Sequence, residues 1–167
     1  MTPARPTWMT VLDSPVGSLL LTSDGTALTR LLFDPSRARP DWRVDAGPFA
    51  EVARQLDQFF ARARTTFDLP LRPEGTAFQV RVWSALREIP YGQTRTYGQI
   101  AGAVGNPAAV RAVGLANNRN PISIIVPCHR VIGANGALTG YAGGLANKRL
   151  LLDLEGAEAV GAQPTLL

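Results

Sequence analysis

Pro70, Pro73 and Gly75 break the chain near its middle, and the residue patterns on either side of the break differ in kind. Proline fixes φ and removes a backbone donor, so neither a helix nor a central strand runs through such a cluster. The 167 residues therefore read as two small domains, 1–74 and 75–167. In the first, short β-prone pieces over 7–33 are interrupted at Ser14-Pro15, Gly17 and Asp24-Gly25. This predicts a strand meander with a hairpin turn at Asp24-Gly25. Residues 34–47, rich in Pro, Arg and Asp, read as a linker. Phe49, Val52, Leu56, Phe59 and Phe60 then fall on one side of a helix predicted over 48–62, and 67–71 reads as a last strand.

The second half carries helix signals. Thr76 with Gln79 forms a capping box, and Phe78, Val82, Leu86 and Ile89 continue it as an apolar stripe that ends at Pro90-Tyr91-Gly92. Thr96 with Gln99 opens a second, short helix to about Val104, where Gly105 suits a left-handed position. Asn106 is expected to cap a third helix, with Pro107 in its first turn and an end before Asn120-Pro121. Two short helices joined through a glycine outline a helix-turn-helix, although the same spacing fits a plain helical hairpin. On the third helix Ala109, Val113 and Ala116 share an inward side. Arg111 points elsewhere, with Ala108, Gly114 and Leu115 as helix neighbours, and small residues beside it would let the backbone approach a DNA groove. A solvated arginine on an alanine-rich helix is the plainer alternative.

Composition narrows the classes further. With 46% hydrophobic and 18% charged residues the chain reads as globular. Its longest apolar runs, such as 122–126, are too short to cross a bilayer, and no export signal follows Arg5. One cysteine cannot form an internal disulfide, and a reduced thiol fits the cytoplasm. A net charge of +4 is compatible with nucleic acid without establishing it.

Residues 122–126 read as a buried strand leading into Pro127-Cys128-His129-Arg130. The only cysteine and only histidine are thus neighbours, which random placement gives roughly one time in a hundred. Two ligands cannot complete a tetrahedral zinc set. An inert packed cysteine is the main alternative to an activated thiol. Activation needs a base to take the proton and a third group to orient that base. Glu155 in Leu151-Leu152-Asp153-Leu154-Glu155-Gly156 is a candidate orienter.

Taken in order, Ile89-Pro90-Tyr91-Gly92, Thr96-Tyr97, Arg111-Ala112-Val113-Gly114, Asn120-Pro121, Pro127-Cys128-His129-Arg130-Val131-Ile132, Gly140-Tyr141-Ala142-Gly143-Gly144-Leu145, Lys148 and Leu154-Glu155-Gly156 resemble the O6-alkylguanine-DNA alkyltransferases. Several motifs at matching separations are far more specific than a Cys-His pair, and they cover about residues 76–156. The resemblance implies an N-terminal ribonuclease-H-like α/β domain followed by a mainly helical, winged helix-turn-helix-like domain. It implies single-use transfer of an alkyl group from O6-alkylguanine, and from O4-alkylthymine, to Cys128. His129 would act as a water-mediated base, Glu155 as its orienter and Asn120 as a structural tie between the helix-turn-helix and the active-site turn. Arg111 would fill the gap left by a flipped nucleotide, with Ala112 and Gly114 beside it at the DNA. Tyr97 would contact phosphate and donate to N3 of the guanine. Carbonyls of Cys128 and Val131 would read its amino group, and the backbone of Ala142, where many relatives have serine, would face O6. Tyr141 and Lys148 also match pocket positions. The implied partner is alkylated double-stranded DNA, met by a monomer, with cooperative assembly along DNA left open.

No dinucleotide or S-adenosylmethionine fingerprint occurs, so no cofactor is expected, and no metal either. A lesion-binding relative that does not repair is disfavoured by Cys128. A plain helix-turn-helix regulator leaves Cys128, His129 and Glu155 without a role. A Cys-His hydrolase would differ by turning over.

Overall fold

The computed structural model describes residues 5–157, and these fall into two compact units that meet between Glu74 and Gly75. In the first, β1 (Trp8–Ser14), β2 (Gly17–Ser23) and β3 (Leu28–Leu32) form an antiparallel meander. Gly17 and Gly25 take φ of +97° and +100°, which a side chain would disfavour, and Asp24 Oδ1 accepts from the Thr26 and Ala27 amides to close the second hairpin. The central strand β2 buries Leu19, Leu20 and Leu21 completely. Helix α1 (Ala50–Phe60) buries Val52, Leu56 and Phe59, with Phe49 fully buried in the 3₁₀ turn that leads into it. Each such side chain contributes roughly 1.5–3 kcal/mol of apolar transfer free energy.

Two expectations for this unit fail. The segment read as a linker contains β4 (Arg43–Val44), parallel to β1 and giving the sheet order β3-β2-β1-β4. Two exposed residues carry no alternation to detect, and what makes them a strand is the Arg43 amide donating to the Thr7 carbonyl. Residues 67–71 make only an isolated bridge, Leu71 with Leu28. Gln55 explains part of this: its side chain both donates to the Asp68 carbonyl and accepts from the Asp68 amide, taking the place of a ladder partner.

In the second unit both capping boxes form, at 2.9 and 3.1 Å for Thr76/Gln79 and at 2.8 and 3.1 Å for Thr96/Gln99. They start α2 (Ala77–Arg87) and α3 (Tyr97–Ala103), and Gly105 follows α3 with φ +82°. The next helix, α4, spans Val110–Asn118 and so begins later than Asn106-Pro107 predicts. Asn and Pro also suit the first two positions of a β-turn, and here the Ala109 amide closes that turn on the Asn106 carbonyl at 2.9 Å. Val113 and Ala116 of α4 are buried, and the Trp83 indole of α2 donates to the Ala116 carbonyl at 2.9 Å.

The expected strand over 122–126 is instead a buried turn. The extended pieces are β5 (Arg95–Thr96) and β6 (Val131–Ile132), paired in parallel on either side of it in sequence. An apolar run of five residues looks the same whether it is buried as a strand or as a turn, so periodicity could not separate the two. Helix α5 (Leu145–Glu155) closes the unit and ends on left-handed Gly156. Among the described residues no helix is long and apolar enough to cross a membrane.

Candidate active site

The site begins with Asn120, buried just after α4. Its Nδ2 donates to the Val126 carbonyl at 2.8 Å and its Oδ1 accepts from the Ile122 amide at 3.0 Å, so one side chain clamps both ends of the buried turn. The backbone then passes Pro127 into a 3₁₀ turn, Cys128–Arg130, whose three side chains are all buried. The Cys128 carbonyl accepts from the Val131 amide and, at 3.4 Å, from Asn117 Nδ2.

Glu155, at the end of α5, meets this turn from the other side. His129 Nε2 lies 2.7 Å from Glu155 Oε2, while Arg130 donates from Nε and Nη2 to the two carboxylate oxygens at 2.8 and 2.9 Å. The remaining Arg130 Nη1 donates to the Ile89 carbonyl at 2.7 Å, and the Gly92 amide donates to Glu155 Oε1 at 3.3 Å. Burial pushes the Glu155 carboxyl up, but the bonds and charges from His129 and Arg130 outweigh it and hold it at about 2. The Arg130 fork keeps Glu155 ionised. Burial pushes the His129 imidazole down, and the opposing pull of Glu155 does not restore it. A neutral imidazole that donates from Nε2 to a carboxylate presents Nδ1 as a lone pair. That atom is buried and has no protein partner among the described residues.

The thiol of Cys128 is pushed up by burial, against hydrogen bonds from Asn120 and Ser123 and the charge of Lys148. It is therefore protonated at neutral pH and needs a base before it can act as a nucleophile. Lys148 is buried, its ammonium donating to the Thr139 carbonyl at 3.0 Å, and burial brings it down to about 8. The Tyr97 hydroxyl pairs with Thr139 Oγ1 at 2.8 Å, and burial raises its pKa against the lowering effect of that bond. Tyr141 is raised well above the ordinary range by burial and by the neighbouring Cys128. Both phenols thus stay protonated and are able to donate.

Of the residues singled out in the sequence, Cys128, His129, Glu155, Asn120, Tyr97, Tyr141 and Lys148 converge on this site, with Val131 buried beside the turn in β6. Arg111 and Ala112 lie on the exposed side of α4 and Ala142 is exposed in the loop before α5. A Cβ on Gly114 would sit 3.9 Å from the Tyr97 ring, so this face of α4 packs beside Tyr97. Sequence reasoning missed Arg130, Ser123, Thr139 and Asn117. It also assigned no helix to 145–155. The signal was present, because Lys148, Leu151, Leu152 and Glu155 recur at i, i+3, i+4 and i+7 and are all buried. Two charged members hid the stripe.

Comparison with known proteins gives a consistent result. Residues 8–73 match the 6-O-methylguanine DNA methyltransferase ribonuclease-like domain, and residues 77–157 match the DNA-binding domain of the same family. A methylated-DNA–protein-cysteine methyltransferase of Methanosarcina acetivorans is 57% identical over 150 residues, 87% of this chain and 96% of that protein. One from Mycobacterium tuberculosis is 54% identical over 153 residues, 89% of this chain and 92% of that protein. The crystal structure of the M. tuberculosis protein in complex with DNA superposes with a TM-score of 0.85 at 53% identity, covering 89% of this chain and 92% of that one. A ribonuclease-like α/β domain followed by a helical DNA-binding domain is therefore the architecture of this chain.

Proposed function

The chain belongs to the 6-O-methylguanine DNA methyltransferase family, and on that premise we propose that Cys128 is the acceptor of the alkyl group. Its activity is DNA repair by methylated-DNA–protein-cysteine methyl transfer. The observation that supports Cys128 most is its place beside the buried pair of His129 Nε2 and Glu155 Oε2, 2.7 Å apart. The thiol proton passes to His129 Nδ1, directly or through a water, and ionised Glu155 stabilises the imidazolium that forms. The sulfur then attacks the saturated carbon; a C–S bond forms as the C–O6 bond breaks, and guanine leaves with a proton shared from Tyr97. The thioether offers no carbonyl for water to attack, so each molecule acts once.

The substrate atom lies inside a duplex, so the nucleotide must be extruded at a cost of a few kcal/mol. Arg111 on the exposed side of α4 fills the gap, with Ala112 and Gly114 allowing close approach, while phosphate contacts supply affinity independent of sequence. Short α3, the Gly105 turn and α4 support a winged helix-turn-helix-like reading of this domain. The Val131 carbonyl and the Ala142 backbone serve the guanine edge, with Tyr141 and Lys148 lining the pocket. The protein acts on O6-alkylguanine, and on O4-alkylthymine, as a monomer in the cytoplasm.

Intact-protein and peptide mass spectrometry after mixing with a duplex containing O6-methylguanine tests this directly. One methyl gained on Cys128, in step with lesion loss and without turnover, is expected; lesion binding with an unmodified cysteine would refute it. Arg111→Ala is expected to slow repair in duplex by at least tenfold, ~1.4 kcal/mol or more, and to leave attack on a free alkylguanine base within about twofold. Single-turnover rates on both substrates check this, and equal losses would remove the role in base extrusion.

A further inference from the structure

Ser123 is the one polar residue in the run Ile122-Ser123-Ile124-Ile125-Val126, and it is 2% exposed. A serine buried so fully needs a hydrogen-bond partner, and its side chain bonds to Cys128. Five residues along a strand would separate the two by about 16 Å. They meet only because the chain folds back on itself. Ile124 makes that fold with φ +72°, a region β-branched residues seldom occupy. The Ile125 amide bonds the Ser123 carbonyl at 2.8 Å, the Val126 amide bonds the Ile122 carbonyl at 3.0 Å, and the Asn120 clamp holds both ends. Strain this firmly held, beside a nucleophile, has one local consequence: it turns a serine hydroxyl onto the sulfur.

We propose that Ser123 is a further catalytic residue of the alkyl transfer, its hydroxyl donating to Cys128 Sγ and stabilising the thiolate that attacks the alkyl carbon. This rests on Cys128 being the acceptor. The serine keeps its proton throughout. The thiol proton has gone to His129, the C–S bond forms as C–O6 breaks, and the departing guanine anion is stabilised by a hydrogen bond from Tyr97, which keeps its proton, and is protonated by water. A thiolate accepts a hydrogen bond far better than the neutral thioether product does, so the bond favours the reactive form. Five other groups bear on the sulfur: Asn120, whose side chain also hydrogen-bonds it, Lys148 from α5, Tyr97 from α3, Tyr141 from the loop before α5, and His129 with Glu155 behind it. Changing Ser123 leaves all of them in place.

The test compares Ser123→Val with Ser123→Thr, which have the same shape and differ in the hydroxyl, so packing faults are shared. Because the chain has a single cysteine, thiolate absorbance near 240 nm, corrected with Cys128→Ala, follows this sulfur alone. The valine variant is expected to titrate about one pH unit above the threonine variant. Its thiolate fraction at pH 7 then falls about tenfold while each thiolate becomes about threefold more nucleophilic, for a net loss of about threefold in single-turnover methyl transfer. That gap closes as pH approaches the thiol pKa, which a merely structural role would not produce. Superimposable titrations and equal rates in the two variants would overturn the proposal. Displaced titrations in a protein that never gains a methyl on Cys128 would instead refute the acceptor assignment, and with it the catalytic role, while leaving the hydrogen bond intact.

Discussion

Replacing Cys128 with alanine is expected to abolish methyl transfer to the protein altogether while affinity for duplex DNA stays within about twofold. Cys128 is the only cysteine, so no second thiol is available to accept the group. DNA affinity should survive because the proposed contacts, Arg111 and Ala112, are on the exposed side of α4, whereas Cys128 is buried. Removing one buried sulfur costs about 1–2 kcal/mol in lost packing, small against the 5–15 kcal/mol that holds a domain folded. Methylation assays and equilibrium DNA binding on the same preparation check the pair of outcomes. Residual transfer would relocate the acceptor. Loss of both would mean that the substitution had unfolded the domain.

Glu155→Gln is expected to be the most destabilising single change in the site, by about 3–5 kcal/mol, because it leaves the buried Arg130 guanidinium without its counter-charge. It would also leave His129 without the carboxylate that fixes its tautomer. The effect carries a pH signature. The Glu155 carboxyl is lowered from 4.5 to about 2 in the folded protein, so its contribution is fully present above about pH 4.5 and is lost as pH falls toward 2. A shift of that size corresponds to about 3 kcal/mol. Denaturant unfolding of the parent protein between pH 6 and 2.5 should therefore show a steeper fall than that of the glutamine variant. Asp24 and Glu51 are also held low and titrate in that range, but in both proteins alike, so the difference isolates Glu155. Parallel curves would mean that the carboxylate does not carry this stability.

Much of this was legible in the chain because the chemistry is local. Each capping box is satisfied within four residues, so Thr76/Gln79 and Thr96/Gln99 announce their helices without help from the rest of the molecule. Gly105 and Gly25 sit at turns only a residue without Cβ enters easily. The adjacency of Cys128 and His129 needs no fold to be noticed. Asn106-Pro107 shows the limit even of local signals, since the same two residues open a helix or a β-turn and distant packing decides between them.

What the sequence by itself determined is the break near residue 74, the capped helices, the meander and the adjacency of Cys128 and His129. The tertiary structure alone decided the rest. It bent the apolar run 122–126 into a turn, recruited Arg43–Val44 to an edge, laid Lys148 and Glu155 on one buried face, and gave Arg130 and Ser123 their partners. The physical reason is range. Caps and turns exchange hydrogen bonds with residues a few positions away, whereas a buried charge or hydroxyl is tolerated only when a partner arrives from elsewhere in the chain. Glu155 lies 26 residues from His129, and only the folded chain closes that distance to 2.7 Å.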